Sequence, residues 1–291
     1  MAIGSSAGFS VGPVAATAAI RLGLNPTTML FLRFLMTIAL LGITVALTAP
    51  SRLRMDRRGL AFTVGAGLIN GVGMLTFFWS LTRLDTSVAS MLFSLFPLVV
   101  LVLLALRGER FTYRNALRLG LGIAGVYLLI GPGGQADWVG VLMVGVAILT
   151  SSVQTVVMQW FLQEYDARAV TLYMVSGMAV VVSGWWLIEG PGLEVPGWQA
   201  WAWIGVLVLV TTYLARLGLF GAVRRLGSGQ VALLVPLETF LTVLWSMWFL
   251  DDRLSPLQWA GGGLILFSTL LAVKRLGRAK WPARWRAWTM V

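Results

Sequence analysis

Three ionisable side chains lie well inside the apolar stretches of this sequence: Arg33, Arg216 and Glu238. An ionised group within hydrocarbon is costly, so it usually faces a water-filled cavity or a partner of opposite charge. A guanidinium group binds a carboxylate through two hydrogen bonds, and a carboxylate binds an ammonium group in the same charge-assisted way. Arg216 and Glu238 together would therefore suit a small zwitterion.

The spacing places Arg216 and Glu238 at a similar depth. Arg216 precedes Arg224 by eight residues and Glu238 follows Gly229 by nine, which is roughly 12–14 Å from one boundary at 1.5 Å per residue. Two interpretations stay open: the pair forms the floor of a substrate site, or it is a structural ion pair. Arg33 lies about 8 Å inside the opposite boundary, and we expect it to have a structural role, reaching water or capping carbonyl groups.

Polar and aromatic side chains also recur at helical spacing. Ser151, Gln154, Thr155, Met158 and Gln159 form one stripe, which is an unusual face to offer lipid and predicts a cavity wall. Close helix packing is the alternative for such stripes, since small polar residues let membrane helices approach. The full predicted set of substrate contacts is Asn70, Phe78, Trp79, Gln154, Gln159, Trp160, Tyr213, Arg216, Glu238 and Trp245.

The composition indicates which class of protein structure positions these residues. Of 291 residues, 58% are hydrophobic and 11% are charged, and the mean hydropathy is +0.85. These values predict an all-α polytopic membrane protein, because a soluble domain cannot bury so much apolar surface. The chain has no cysteine and no histidine. Disulfides, Cys or His metal sites and Ser-His or Cys-His catalysis are thereby excluded, and we expect no cofactor and no metal.

Apolar runs bounded by charge, Gly or Pro predict ten transmembrane helices. They lie at roughly 3–22, 28–49, 59–82, 86–106, 115–132, 139–161, 169–188, 200–223, 229–250 and 256–274. With this alternation, 17 of the 22 Lys and Arg residues fall on one side. The positive-inside rule then predicts that both termini are cytoplasmic.

The net charge of +11 would indicate nucleic acid in a soluble chain. Here the basic tail 275–291 is typical of an anchor at an anionic inner leaflet, so we expect membrane lipids and no nucleic acid as partners. The oligomeric state, the coupling ion and the resting state are left open.

The two halves of the chain correspond when Leu84 is aligned with Leu226. "RLDTSVASMLFSLFPLVVLVLLALRGERFT" then lies against "RLGSGQVALLVPLETFLTVLWSMWFLDDRLS". A duplicated unit of five spans enters the membrane in opposite senses, which predicts an inverted repeat. The predicted units are 1–132 and 139–274, each with five helices, followed by the cytoplasmic tail.

Several of these residues resemble a known family. Arg33-Phe34, Pro97 and Gly108-Glu109 stand within "AIRLGLNPTTMLFLRFL" and "FFWSLTRLDTSVASMLFSLFPLVVLVLLALRGERFTYRNALRLGLGIAGVYLL". This pattern is similar to that of EamA-type transporters of the drug/metabolite transporter superfamily. The resemblance implies a ten-helix, five-plus-five inverted-repeat fold in a bacterial inner membrane, exporting amino acids or other small metabolites without ATP hydrolysis. The second half departs from the pattern, with Asp251-Asp252 in place of Gly-Glu and Glu238-Thr239 in place of Glu-Pro.

The expected function is therefore secondary transport of small metabolites, above all amino acids, through a midplane cavity that alternates between the two sides. An aromatic-rich cavity favours large apolar side chains. The alternative is a membrane-embedded lipid-modifying enzyme, which usually needs clustered carboxylates, His or a metal. Asp251-Asp252 is the only acidic cluster that the sequence offers for this, and we expect no enzymatic activity.

Overall fold

The computed structural model describes residues 2–48, 55–106, 113–130, 137–162, 165–190, 197–215 and 235–276. All regular structure in these ranges is helical. The helices are α1 (Ala2–Arg21), α2 (Pro26–Thr48), α3 (Arg57–Ser80), α4 (Thr86–Phe93), α5 (Phe96–Leu106), α6 (Tyr113–Ile130), α7 (Trp138–Phe161), α8 (Ala167–Glu189), α9 (Trp198–Val206), a π-helix (Leu207–Leu214), α10 (Val235–Phe249) and α11 (Pro256–Leu276).

Four of these helices contain segments that are long and apolar enough to cross a membrane. The segments are Pro26–Leu47, Arg57–Ser80, Trp138–Met158 and Arg168–Glu189. The shorter apolar segments are Thr86–Val100, Ala116–Ile130, Trp198–Leu214 and Pro256–Leu271. The prediction of an all-helical chain is confirmed for the described residues, and their length and composition are those of a polytopic membrane protein.

The predicted span 86–106 is wrong as a single helix, because the chain breaks it between α4 and α5. Pro97 lacks an N–H group and its ring clashes with the carbonyl of the preceding turn, so α4 ends before it and Pro97 lies in the first turn of α5. The break leaves carbonyl groups that need donors. The Thr269 hydroxyl of α11 donates to the Ser94 carbonyl at 2.9 Å, and the Ser152 hydroxyl of α7 donates to the Phe96 carbonyl at 3.3 Å. Two helices from the other half of the chain thus stabilise the break.

The predicted span 200–223 is also irregular. Its first part is α9, and its continuation is the π-helix, in which the Ala215 N–H donates to the Val210 carbonyl, one residue further back than in an α-helix. Residues 216–223 lie outside the described ranges. A π-helical turn is rare and is frequently found at functional sites.

The helices pack in a pattern that crosses between the halves. The helix α3 packs on α7 and α8, while α1 and α2 pack on α9 and the π-helix. Further pairs are α2 with α8, α4 with α10, α6 with α11, α1 with α10, and α5 with α7. The buried core therefore lies largely between the halves.

The contact of α3 with α8 depends on glycine, because the two backbones nearly touch. A Cβ atom on Gly67 would lie 2.3 Å from the Met174 carbonyl oxygen, and one on Gly177 would lie 2.7 Å from the Val64 carbonyl oxygen. Small residues allow such close approach in membrane helix pairs. A Cβ atom on Gly65, in the same helix, would meet nothing within 4 Å.

This geometry predicts opposite effects for two neighbouring glycines. Gly67→Ala forces the helices apart, so its free energy of unfolding should fall by about 1–3 kcal/mol. Gly65→Ala fills open space and removes the helix-propensity penalty of glycine, so it should be neutral or stabilising by up to about 1 kcal/mol. Thermal unfolding of both variants in detergent measures the difference, and equal destabilisation would contradict the close contact.

Candidate functional site

Arg33 is buried within the bundle, with only 5% of its surface exposed. Its Nε donates to the Thr212 hydroxyl at 2.9 Å and its Nη2 donates to the Thr211 hydroxyl at 3.0 Å. The guanidinium carbon lies 5.4 Å from the centre of the Phe78 ring, within range of a cation–π interaction. The expectation that Arg33 reaches water is therefore wrong, while a structural role agrees with these contacts.

The two threonines join Arg33 to the irregular backbone of the π-helix. Each hydroxyl accepts from Arg33 and donates to the Leu207 carbonyl, at 2.6 Å from Thr211 and 2.9 Å from Thr212. A buried charge needs several such partners because water cannot reach it. Neither threonine was singled out from the sequence; the only signal is that two hydroxyls stand side by side in an apolar stretch.

Asn70 and Gln154 lie between α3, α7 and α8. The Ser151 hydroxyl donates to the Asn70 side-chain oxygen at 3.2 Å. The Gln154 amide lies 2.6 Å from the Met174 sulfur, in donor geometry, and both predicted residues are buried. Part of the stripe predicted on α7 thus faces neighbouring helices rather than lipid.

Trp79 and Tyr213 contact α2. The Trp79 indole nitrogen donates to the Thr27 hydroxyl at 3.0 Å, and the Tyr213 hydroxyl donates to the Thr44 hydroxyl at 3.1 Å. Phe78 is buried beneath Arg33 and lies edge-on to Phe77. The polar atoms of Trp79 and Tyr213 have protein partners, so these two side chains link their helices to α2.

Glu238 and Trp245 lie two turns apart on α10. Thr242 stands between them and donates from its hydroxyl to the Ser10 carbonyl of α1 at 3.1 Å. The indole nitrogen of Trp245 is buried and has no hydrogen-bond partner within the described residues. The Glu238 side chain is half-buried. Glu238, Thr242 and Trp245 thus lie on one face of α10.

A further buried group without a partner lies on α4, the helix that packs on α10. The Ser90 hydroxyl has no hydrogen-bond partner in the part of the chain that the structure describes, and Ser90 is 6% exposed. Ser90 is not among the substrate contacts predicted from the sequence, and serine in a membrane helix commonly serves packing.

Three of the predicted substrate contacts lie wholly or partly outside the described residues. Arg216 lies outside the described residues, and the side chains of Gln159 and Trp160 do so too, although their backbone belongs to α7. The proposed meeting of Arg216 and Glu238 therefore stays a prediction.

A second polar cluster joins the end of α1, the beginning of α4 and the turn after α10. Asp252 has a side chain that is 1% exposed, and its Oδ2 accepts from the Ser87 N–H at 3.1 Å and the Ser87 hydroxyl at 3.0 Å. The Arg21 Nη2 lies 3.5 Å from the Asp252 Oδ1, and the Arg21 Nη1 donates to the Leu250 carbonyl at 2.6 Å. We call Arg21, Ser87, Ser246 and Asp252 the Asp252 cluster, since the Ser246 hydroxyl lies 2.6 Å from that of Ser87.

Three aspartates at helix starts have shifted acidities. The hydrogen bond from the Arg83 guanidinium at 2.7 Å holds the pKa of Asp137 below its ordinary value. A hydrogen bond from the Tyr165 hydroxyl likewise lowers the pKa of Asp56. Burial raises the pKa of Asp85, the nearby Asp252 raises it further, and Arg21 opposes both. Asp85 therefore stands out as a carboxylate that its surroundings disfavour as an anion.

A cavity of about 510 Å³ lies beside the Asp252 cluster and is lined by Arg21, Arg83, Asp85 and Asp137 among others. A second cavity of about 470 Å³ lies between the ends of α1, α9 and α10. No cluster of three or more Asp or Glu residues that would hold a metal ion occurs among the described residues.

The sequence profile of the EamA-like transporter family matches residues 1–131 and 138–274. The chain belongs to the EamA-like transporter family. A relative described as an uncharacterized transporter of Archaeoglobus fulgidus is 23% identical over 209 residues, which cover 72% of this chain and 75% of the relative. A solved crystal structure, described only as that of a protein, aligns with a TM-score of 0.67 at 19% identity and covers 95% of this chain and 96% of that one.

Membership of this family makes the chain a multi-pass membrane protein of transporter type, and confirms the resemblance seen in the sequence. The solved structure supports the fold alone. A small-molecule substrate follows from the family, whereas the substrate class does not.

The contacts of Arg33 predict a strong dependence on its shape. Arg33→Lys keeps the charge but cannot bond two hydroxyls from two nitrogens or stack on Phe78 in the same way. Hydrogen bonds to charged groups contribute about 1.5–3 kcal/mol, so the free energy of unfolding should fall by roughly that amount. The exposed Arg253 gives the control: Arg253→Lys should leave thermal unfolding unchanged, and an equal effect of both substitutions would refute the anchoring role.

Proposed function

We propose that this EamA-family protein is a secondary transporter of amino acids and related small metabolites in a bacterial inner membrane. Two inverted halves, 1–132 and 139–274, would alternate a central site between the two sides, with both termini and the tail 275–291 in the cytoplasm. The distribution of Lys and Arg supports this orientation.

The helix pairs support the inverted repeat. Numbering the ten proposed spans in order, span 4 consists of α4 and α5, and span 8 consists of α9 and the π-helix. The contact between spans 3 and 6 then corresponds to the contact between spans 8 and 1. In the same way, the contact between spans 3 and 7 corresponds to the contact between spans 8 and 2. Spans 2 and 7, 4 and 9, and 5 and 10 pair with their own counterparts. A pseudo-two-fold axis in the membrane plane produces this pattern.

The observation on which the proposed site rests is the set of unsatisfied polar groups on α4 and α10. A buried donor without an acceptor costs about 1–3 kcal/mol, and buried polar groups in native proteins are rarely left so. The Ser90 hydroxyl and the Trp245 indole nitrogen are both in this condition among the described residues. They lie on the span 4 and span 9 helices, where the halves meet. A bound substrate that offers oxygen acceptors would satisfy them.

Glu238 supports the amino-acid part of the proposal. Its carboxylate lies on the same face of α10 as Trp245, at a separation of two helical turns. In that position it would hold an ammonium group while the donors hold the substrate's oxygen atoms. The indole ring of Trp245 itself, together with Phe78, would favour large apolar side chains.

Removing the Trp245 donor should reveal whether it serves a ligand. Trp245→Phe keeps an aromatic ring but loses the N–H group together with one of the two fused rings, so a control that loses the same atoms elsewhere is needed. Uptake into proteoliposomes should require about a tenfold higher substrate concentration, the effect of one lost hydrogen bond. Trp248 is the matched control, because it loses the same atoms, is 77% exposed on the same helix and has its ring centre 6.3 Å from that of Trp245; Trp248→Phe should leave uptake unchanged. Unchanged uptake in both variants would remove Trp245 from the site.

Glu238→Gln tests the ammonium contact. The neutral side chain should raise the half-saturating concentration for labelled amino acids about 10- to 100-fold, because a charge-assisted contact is lost. Glu189→Gln, which changes an exposed carboxylate at the end of α8, should have no effect. If downhill flux stays unchanged while accumulation driven by a pH gradient disappears, Glu238 exchanges a proton instead. If proteoliposomes take up no amino acid faster than empty liposomes, the substrate class is wrong.

A further inference from the structure

The start of α4 is capped by a residue from the other half of the chain. The capping position of this helix belongs to Asp85, whose backbone is extended (φ −59°, ψ 142°) but whose side chain makes no capping hydrogen bond. Asp252 does so in its place, since it accepts from the N–H of Ser87, the second residue of α4. A capping oxygen normally accepts from the second or third residue of a helix. Two aspartates therefore compete for one helix end, and the more distant one in sequence occupies it.

The position of Asp252 also ties three helices together. Through Arg21 it holds α1, through Ser87 it holds α4, and it follows α10 directly in the chain. The hydroxyls of Thr17 and Thr86, 2.6 Å apart, add a second link between α1 and α4. Under the proposed orientation, these helix ends all face the outside. The Asp252 cluster thus closes the outer end of the contact between the halves.

We propose that the Asp252 cluster is the outer gate of this transporter, and that the cap of α4 passes from Asp252 to Asp85 when the gate opens. Opening must draw the turn after α10 away from α4, and this would leave the Ser87 N–H without an acceptor. Asp85 has the residue type and the backbone conformation of a helix cap, so it can accept that hydrogen bond without moving the helix. The inference rests on the proposed transport function and its orientation.

The surroundings of Asp85 support this exchange. Asp85 lines the 510 Å³ cavity together with Arg21, Thr86 and Val88, so its side chain has room to turn and water can enter. In the closed arrangement Asp85 lies near the negative charge of Asp252. Moving Asp252 away relieves this repulsion at the same step in which Asp85 gains a hydrogen-bond donor. Both changes lower the free-energy difference between the closed and the open arrangement.

The absence of cysteine from the chain allows a direct measurement of gate opening. Val88 is 4% exposed, lines the cavity and follows Ser87. In a Val88→Cys protein, a membrane-impermeant maleimide added from the outside should react slowly, at a rate that reports how often the gate opens. Asp252→Asn weakens the bonds to Ser87 and Arg21, so labelling should become about tenfold faster. The adjacent, exposed Asp251 provides the matched control, and Asp251→Asn should leave the rate unchanged.

Variants of Asp85 provide a second test of the gate, which remains informative even if Asp252 variants fail to fold. Asp85→Ala removes the substitute cap from the open state, so labelling should become about three- to tenfold slower. Asp85→Asn should recover part of the parent rate and label faster than Asp85→Ala, because asparagine caps helices as well as aspartate does but is not repelled by Asp252 in the closed arrangement. An unchanged or faster rate in Asp85→Ala, or an unchanged rate in Asp252→Asn, would overturn the proposal.

The labelling needs no substrate and no transport, which separates this inference from the function on which it rests. If the expected labelling pattern appears while proteoliposomes transport no amino acid, the gate proposal is supported and the proposed substrate class is wrong. If amino acids are transported and the labelling rates do not respond to Asp85 or Asp252, the function stands and the gate fails. Labelling that occurs only from the opposite side of the membrane would overturn the orientation and the outer gate together.

Discussion

Lipid offers no hydrogen-bond partner to the backbone of this protein, and this constraint determines how its helices pack. A carbonyl or N–H group freed within a membrane helix must find a partner in another helix, since lipid offers none. The break between α4 and α5 and the π-helix after α9 both free such groups. The first break is satisfied by Thr269 and Ser152, and the carbonyl of Leu207 by Thr211 and Thr212. The break between α4 and α5 therefore depends on the packing of the two halves, and the π-helix is joined to the other half through Arg33, which donates to the same two threonines.

The same constraint applies to the buried charges, for which a missing partner costs more free energy. Arg33 is held by the two threonines of the π-helix, and Asp252 by Ser87 and Arg21. In both cases the charge belongs to one half and its partners to the other. A movement between the halves must exchange these partners rather than simply break them, because an uncompensated buried charge costs several kcal/mol. In the proposed gate, Asp85 takes over the Ser87 N–H group that Asp252 releases, whereas the hydroxyls around Arg33 form a fixed anchor.

Regular elements were largely predictable from the sequence, and the positions of polar partners were not. Apolar length and bounding charges located the helices to within a few residues, because hydrocarbon thickness sets span length. Pro97 was visible in the sequence, but the break it causes was missed, since many membrane helices tolerate proline when neighbours supply donors. The burial of Asp252 could not be predicted from the sequence, because it depends on Arg21 and Ser87, which are more than 160 residues away in the chain.

The predicted substrate contacts differ in whether their polar atoms have a hydrogen-bond partner among the described residues. Asn70, Trp79, Gln154 and Tyr213 were predicted as substrate contacts by their residue types, yet each has a protein partner. The Trp245 indole nitrogen has none among the described residues, and neither has the hydroxyl of Ser90, which was not among the predicted contacts. Residue type and helical spacing are the same for both groups, so sequence cannot divide them. The unsatisfied donors lie on α4 and α10, two helices from different halves of the chain that pack together, and the proposed function would place a substrate there.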